Sequence, residues 1–181
     1  TKDLEIKEST DRMKGKPGTT VVFKVKKVRT GDTLDIPVVR ERIHLPDVQY
    51  AEMIDDTTGY ILLSGFTENV STVVRQKFVD LKKQGMKRFV LDLRGNGGGL
   101  MGEAVNIISI FVPKGTLAVS SKGNTDNSLK EFRTSHEPED TEMPVIVLID
   151  SGSASASEIV AGALQDHDRG IIMGTRSYGK G

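Results

Sequence analysis

Along the chain the spacing of apolar positions shifts between two and nearly four residues, and each shift marks an element. Thr20 to Val28 alternates, with Val21, Phe23 and Val25 on one face and Val22, Lys24 and Lys26 on the other, the period of a half-buried strand. Leu34 to Ile43 reads similarly. Arg29-Thr30-Gly31-Asp32 between them supplies turn chemistry, and Pro17-Gly18 a turn before them, so an antiparallel hairpin is predicted. From Gly59 the pattern changes. Tyr60 to Gly65 is an apolar strand, and Val70, Val74, Phe78 and Leu81 recur at helical spacing up to the natural stop at Gly85. Arg88 to Leu93 is a strand of the buried type, followed by the loop Arg94-Gly95-Asn96-Gly97-Gly98-Gly99 and a helix over Leu100 to Val112.

Weaker strands are predicted at Thr116 to Ser121 and Glu131 to Ser135, around an exposed loop or flap that contains Asn124, Asp126 and Asn127. Val145 to Ile149 is wholly apolar between Pro144 and Asp150, as expected of a strand buried on both faces. The small-residue run Ser151 to Glu158 follows it. Ile159, Val160, Ala163 and Leu164 then carry a helix to about Asp166, and Gly170 to Gly174 gives a last strand. Strands that alternate with helices predict an α/β core with a parallel sheet. The first 45 or so residues are too few for a stable domain alone and read as half of one.

Composition narrows the functions without choosing one. Basic and acidic residues balance at 25 each, so no net field points to nucleic acid or to an anionic membrane. Cysteine is absent, which removes disulfides, Cys-ligated zinc and a thiol nucleophile. The apolar runs, such as Ala104 to Val112, are too short to span a bilayer. The chain opens in mid-pattern at Thr1-Lys2-Asp3, so any targeting segment is expected upstream.

Two loops carry candidate chemistry. A small-residue loop between a buried strand and a helix N-terminus can expose a nucleophile beside unpaired backbone N–H groups, which can also stabilise an oxyanion. Ser155-Ala156-Ser157-Glu158 also fits a plain capping box, and the local pattern alone favours that reading of Ser155. Asn96-Gly97-Gly98-Gly99 lies at the carboxyl end of a strand, where open α/β sheets bind ligands. It lacks both the Walker A and the dinucleotide spacing, so nucleotide binding is not expected, and a glycine turn needed only for helix packing carries comparable weight. His44, His136 and His167 are dispersed and match no zinc motif. They leave a Ser-His-Asp triad formally possible, with His167 beside Asp166 the obvious candidate, but its place at a helix end far from Ser155 argues for a solvated histidine near the C-terminal dipole.

Leu91-Asp92-Leu93-Arg94-Gly95-Asn96-Gly97-Gly98-Gly99-Leu100, Gly152-Ser153-Ala154-Ser155-Ala156-Ser157-Glu158-Ile159 and Gly174-Thr175-Arg176-Ser177-Tyr178-Gly179-Lys180-Gly181 together resemble the C-terminal processing, or tail-specific, serine proteases. The resemblance implies an α/β, crotonase/ClpP-like protease core over residues 46–181, preceded over residues 1–45 by the second half of a PDZ-like β domain. It places the nucleophile on Ser155, the general base on Lys180, and oxyanion donors on the backbone of Ala156 and of Gly98 or Gly99. Such a lysine must be neutral to accept the serine proton, which requires desolvation in an apolar pocket. Asp166 matches an acidic position of the family. It lies ~16 Å along a straight helix from Ser155, and is expected to give structural support rather than catalysis. A glutamine four residues beyond the lysine would fall past Gly181.

The implied activity is endoproteolysis through an acyl-enzyme on Ser155, without metal or cofactor. Substrates would be proteins or peptides with apolar C-terminal tails bound by strand addition; nucleic acid is not an expected partner, and a homo-oligomer is compatible with the family. The location implied is periplasmic, secreted or envelope-associated. The tail-binding loop of a PDZ domain belongs to its first half, upstream of Thr1, so this stretch is not expected to bind tails normally. Two other readings share the fold: a noncatalytic ligand-binding or scaffold module, and a crotonase-like acyl-CoA enzyme. The Ser155 and Lys180 pair argues against both.

Overall fold

A computed structural model describes residues 6–42, 46–123 and 129–180. The end of the second hairpin strand at Ile43, His44, the loop residues Asn124, Asp126 and Asn127, the start at Thr1-Lys2-Asp3, and Gly181 lie outside the described residues. Contacts divide the chain into two units, Thr1–Leu45 and Pro46–Gly181.

In the first unit a short helix, α1 (Ile6–Met13), precedes β1 (Thr20–Lys26) and β2 (Thr33–Val39), which pair antiparallel from Thr20 opposite Val39 to Lys26 opposite Thr33. The hairpin is as expected, but both strands are shorter. The turn begins at Lys27, whose carbonyl accepts from Gly31 N–H and whose N–H donates to Asp32 O, each at 2.9 Å. Arg40 ties helix to hairpin, donating to Met13 O at 2.8 Å and to Thr19 Oγ1 at 2.9 Å. The expected half-buried face is only partly realised. Val21 and Phe23 are half-buried, whereas Val25 and the whole of β2 are exposed, Val39 by 57%. Two strands and one short helix have too little apolar surface to cover one another.

The second unit is built on a five-stranded sheet in the order β3-β4-β5-β8-β9. Its strands are β3 (Val48–Met53), β4 (Thr58–Leu63), β5 (Arg88–Asp92), β8 (Val145–Ile149) and β9 (Ile171–Gly174). All neighbours run parallel except β3, which pairs antiparallel with β4. Sequence reading passed over β3, because an edge strand facing solvent has no apolar alternation to show; Tyr50 and Glu52 lie exposed in it. The pair β6 (Leu117–Ser121) and β7 (Lys130–Arg133) stands apart as its own antiparallel ribbon.

Three helices complete the unit: α2 (Val70–Lys83) and α4 (Ala156–Asp166) pack on the sheet, and α3 (Met101–Ile108) packs against both of them. The first turn of α2 has no acid of its own, and Glu103 of α3 supplies one, accepting from Ser71 N–H at 2.7 Å and Asn69 N–H at 3.2 Å. The helix expected to reach Val112 stops at Ile108. Ser109 Oγ bonds back to Val105 O at 2.9 Å, and Ile110, Phe111 and Val112 leave the helix to fill the core ahead of Pro113. Phe111 completes an aromatic cluster with Phe78 and Phe89, ring centroids 5.0–5.6 Å apart, and all three side chains are buried. Such pairs each add about 0.5–1.5 kcal/mol beyond their buried area.

The loop before β8 is fixed by charge. Asp140 accepts from Lys82 Nζ at 2.8 Å, Met143 N–H at 2.7 Å and Glu142 N–H at 2.9 Å. Burial alone would raise its pKa, but the Lys82 ammonium and the two N–H groups outweigh that and lower it to about 2. A lowered folded pKa means that the stabilisation is complete above the ordinary carboxylate value near 4 and disappears as pH falls toward 2. The gap of roughly two units corresponds to about 2.5 kcal/mol. Asp140→Asn is therefore expected to lose about that much stability at pH 7 and to flatten the stability profile between about pH 4 and 2. Urea unfolding across that range checks it, and a variant with the same acid limb as the parent would contradict the assignment.

Candidate active site

The loops that leave β5 and β8 meet at the carboxyl edge of the sheet, because parallel neighbours bring their carboxyl ends together. Asp150, which follows β8, stitches them, accepting Gly95 N–H at 2.8 Å and Gly152 N–H at 2.9 Å through Oδ1. The Gly95 N–H is the largest influence holding its pKa below the usual carboxylate range. Asn96 does more. Fully buried, it donates from Nδ2 to Leu63 O at 2.8 Å, accepts Gly98 N–H on Oδ1 at 2.9 Å, and offers its carbonyl to Ala154 N–H at 3.0 Å and Ser157 Oγ at 2.9 Å. One asparagine thus fixes the glycine loop to β4 and to the start of α4. Its role was not read from the sequence, where an asparagine among glycines signals only a turn.

The three serines of the run separate cleanly. Ser153 and Ser157 are fully buried, and their hydroxyls donate to Leu93 O at 2.7 Å and Asn96 O at 2.9 Å. Ser155 between them is half-buried. Its backbone sits at φ 55° and ψ −112°, one of three non-glycine residues with positive φ among those described. Ser155 is the N-cap of α4 in a capping-box arrangement, and the Glu158 carboxylate accepts its N–H at 2.8 Å. An ordinary N-cap lies in the β region. The left-handed turn is extra strain that capping does not require, and such strain gathers at functional turns between a strand and a helix.

Gly98 lies against this turn. A Cβ on it would stand 2.6 Å from Ala154 O, 2.9 Å from Ser155 Cβ and 3.0 Å from Ala156 N, and its own φ is 97°. Gly99 is pressed instead against Phe66, whose carbonyl accepts Leu100 N–H and whose N–H donates to Gly98 O. Ala156 N–H opens α4 and has no acceptor within the helix. The Gly98 N–H, by contrast, is committed to Asn96 Oδ1.

After β9 the chain runs without regular structure past the same edge. Tyr178 N–H donates to Ser153 O at 3.0 Å, and Ser177 Oγ, Gly179 N–H and Lys180 N–H all donate to Glu158 at 2.6–3.0 Å. Lys180 shares an open cleft of about 600 Å³ with Gly97, Ser151, Gly152, Ala154 and Tyr178. Its side chain is exposed, against the desolvation expected of a neutral base. The physical reason is local: hydrogen bonds hold the backbone of this segment, and no described element lies over the side chain. The Glu158 carboxyl has its pKa lowered. Burial would raise its pKa, but the donors from Lys180, Ser177, Ser155 and Gly179 lower it overall.

Asp166 is exposed at the last turn of α4, the far end from Ser155. His167 caps that end and pairs through Nε2 with Leu117 O at 2.8 Å, while His136 lies beside Ser135 Oγ at 3.1 Å. The structure thus brings together Ser155, Ala156, Gly98 and the backbone of Lys180, and leaves Asp166 and both described histidines apart.

Comparison with known proteins gives the family. Residues 57–181 match the model of Peptidase family S41. Among curated relatives, a carboxy-terminal-processing protease of Bartonella bacilliformis is 39% identical over 97% of this chain and 41% of its own length. A carboxyl-terminal-processing protease of Picosynechococcus is 35% identical over the whole of this chain and 44% of its own. A solved structure of a photosystem II D1 C-terminal processing protease superposes with a TM-score of 0.68 at 30% identity, over 92% of this chain and 46% of that one. The chain spans less than half the length of these relatives. With more than half of its residues inside the family match, and with the mixed sheet of that fold, the chain belongs to peptidase family S41.

Proposed function

We propose that the protein of which these residues are the core is a serine endopeptidase that cleaves substrates through an acyl-enzyme on Ser155, with Lys180 as general base. The observation that carries this is the strained, accessible turn at Ser155, set between two buried serines and against the backbone of Gly98. In this reading Ser155 Oγ attacks the scissile carbonyl and gives up its proton to a neutral Lys180, which returns it to the leaving amine; water then hydrolyses the ester. The oxyanion would be held by Ala156 N–H and a second amide of the glycine loop, Gly98 or Gly99. Gly98 is the nearer to Ser155, and to serve it must share or release its bond to Asn96. Lys180 needs a cover in the working enzyme, and the relatives are more than twice as long as this chain.

Substrates would be proteins with apolar C-terminal tails, recognised by a PDZ domain to which the hairpin of the first unit would contribute, and homo-oligomers remain compatible. An extracytoplasmic site of action, periplasmic or secreted, suits that role; among the described residues no helix is long and apolar enough to cross a membrane. The exposure of Lys180 favours one second reading, a noncatalytic module on the same fold. Mass spectrometry after reaction of the full-length protein with a serine-directed acylating probe separates the two. The peptide holding Ser155 should carry the adduct, and Lys180→Ala should slow labelling by roughly 10²- to 10⁴-fold. An unlabelled Ser155 in full-length protein would favour the binding module.

A further inference from the structure

One carboxylate in the site does more than a capping residue needs to do. A Glu at this position of a capping box accepts one N–H, that of the N-cap residue. Glu158 accepts four donors. Oε1 takes Ser177 Oγ at 2.8 Å and Gly179 N–H at 2.6 Å; Oε2 takes Ser155 N–H at 2.8 Å and Lys180 N–H at 3.0 Å. A single oxygen therefore joins the backbone of residue 155 to that of residue 180, and the two N–H groups lie within two hydrogen-bond lengths of each other.

Among the described residues, the segment after β9 has little else to hold it. Beyond Glu158, its backbone is fixed by Thr175 N–H to Ile149 O at 3.3 Å and Tyr178 N–H to Ser153 O at 3.0 Å. Neither bond reaches residues 179 and 180. The end of the segment thus takes its position from α4 through one side chain. That side chain must be an ionised carboxylate, since only an acceptor with no proton of its own can meet four donors. The donors in turn keep Glu158 ionised, holding its pKa below the ordinary value although burial pulls the other way.

We infer that Glu158 is a positioning residue that sets the register between Ser155 and Lys180, and so selects the geometry in which the lysine can take the serine proton. The inference rests on the proposed peptidase reading. The Glu158 carboxylate bonds to neither Ser155 Oγ nor Lys180 Nζ; it acts through the backbone N–H groups of those two residues. Replacement by glutamine keeps the size but puts an NH₂ donor against N–H donors, so the segment should swing away from the Ser155 turn. Loss of ~1 Å in placement can cost about 100-fold in rate while ground-state binding persists.

The test compares Glu158→Gln, Ser177→Ala and Ser155→Ala in the full-length protein, with kcat and KM for a peptide substrate, thermal unfolding, and active sites counted with a serine-directed acylating probe. The expected result is a kcat per titrated site roughly 10- to 100-fold lower in Glu158→Gln with KM nearly unchanged. Ser177→Ala, which removes one of the four donors, should give a smaller loss of the same kind, and Ser155→Ala should be inactive. Parental kcat per titrated site in Glu158→Gln, beside an inactive Ser155→Ala, overturns the inference and leaves the peptidase reading intact. A rate loss that merely tracks the number of titrated sites also overturns it, because the residue would then be structural. Should Glu158→Gln fail to fold, Ser177→Ala alone decides, with an unchanged kcat counting against the tether. Cleavage that survives in Ser155→Ala removes the peptidase reading itself, and with it the inference.

Discussion

Replacing Ser155 with alanine is expected to reduce peptide cleavage by about 10⁴- to 10⁶-fold, the loss found when a serine nucleophile is removed from its catalytic group, with a loss in stability of only about 0.5–1 kcal/mol, that of an N-cap. The loss is confined to the serine half of the capping box at the start of α4, and the N–H of residue 155 keeps Glu158 as partner. Ser153→Ala and Ser157→Ala should behave in the opposite way. Each removes a hydroxyl that is fully buried and leaves a carbonyl, Leu93 O or Asn96 O, without one of its donors. The cost should be about 1–3 kcal/mol in stability, with cleavage retained by the molecules that stay folded. Cleavage and chemical unfolding measured on the same three variants check both halves. If Ser153→Ala or Ser157→Ala were the inactive one and Ser155→Ala kept its activity, the assignment along this run would have to move.

Gly98→Ala should have the second largest effect, and it should strike stability and activity together. The added methyl meets backbone on one side, Ala154 O at 2.6 Å and Ala156 N at 3.0 Å, and Ser155 Cβ at 2.9 Å on another, and none of these is the flexible end of a side chain. The φ of 97° adds strain that any Cβ would feel. Together these should cost about 2–4 kcal/mol and push the glycine loop off the Ser155 turn, lowering kcat by at least ~10²-fold if that loop supplies an oxyanion amide. Gly97→Ala is the control, because a Cβ there meets nothing within 4 Å and φ is not in the strained range. Thermal melts and kcat for the pair should diverge sharply. Equal values would mean that the loop can move without consequence.

The α/β core was legible because its strands are short apolar runs with clear ends. Val145–Ile149 lies between a proline and an aspartate, and Arg88–Asp92 between a helix stop and a glycine loop, and both emerged where expected. The edge strand β3 and the early end of α3 were not legible. An edge strand exposes residues that alternation cannot flag, and Ile110-Phe111-Val112 satisfies a helical pattern although the core needs it turned out of the helix. In the site, the run of three serines could be narrowed to Ser155 only by resemblance, since Ser153, Ser155 and Ser157 have the same local chemistry.

What the sequence determined by itself is the set of local preferences: the strand periods, the glycine loop, the capping box at Ser155 to Glu158 and the motifs that mark the family. Each depends on neighbours within a few residues, so each is written in the order of the chain. Tertiary structure alone decided which serine is accessible, that Asn96 links both loops to β4, that Glu158 gathers donors from residues 155, 177, 179 and 180, and that the Lys180 side chain stands exposed. Those outcomes depend on what parallel pairing of β5, β8 and β9 brings to one edge of the sheet, and groups some 60 residues apart in the chain become hydrogen-bond partners only there.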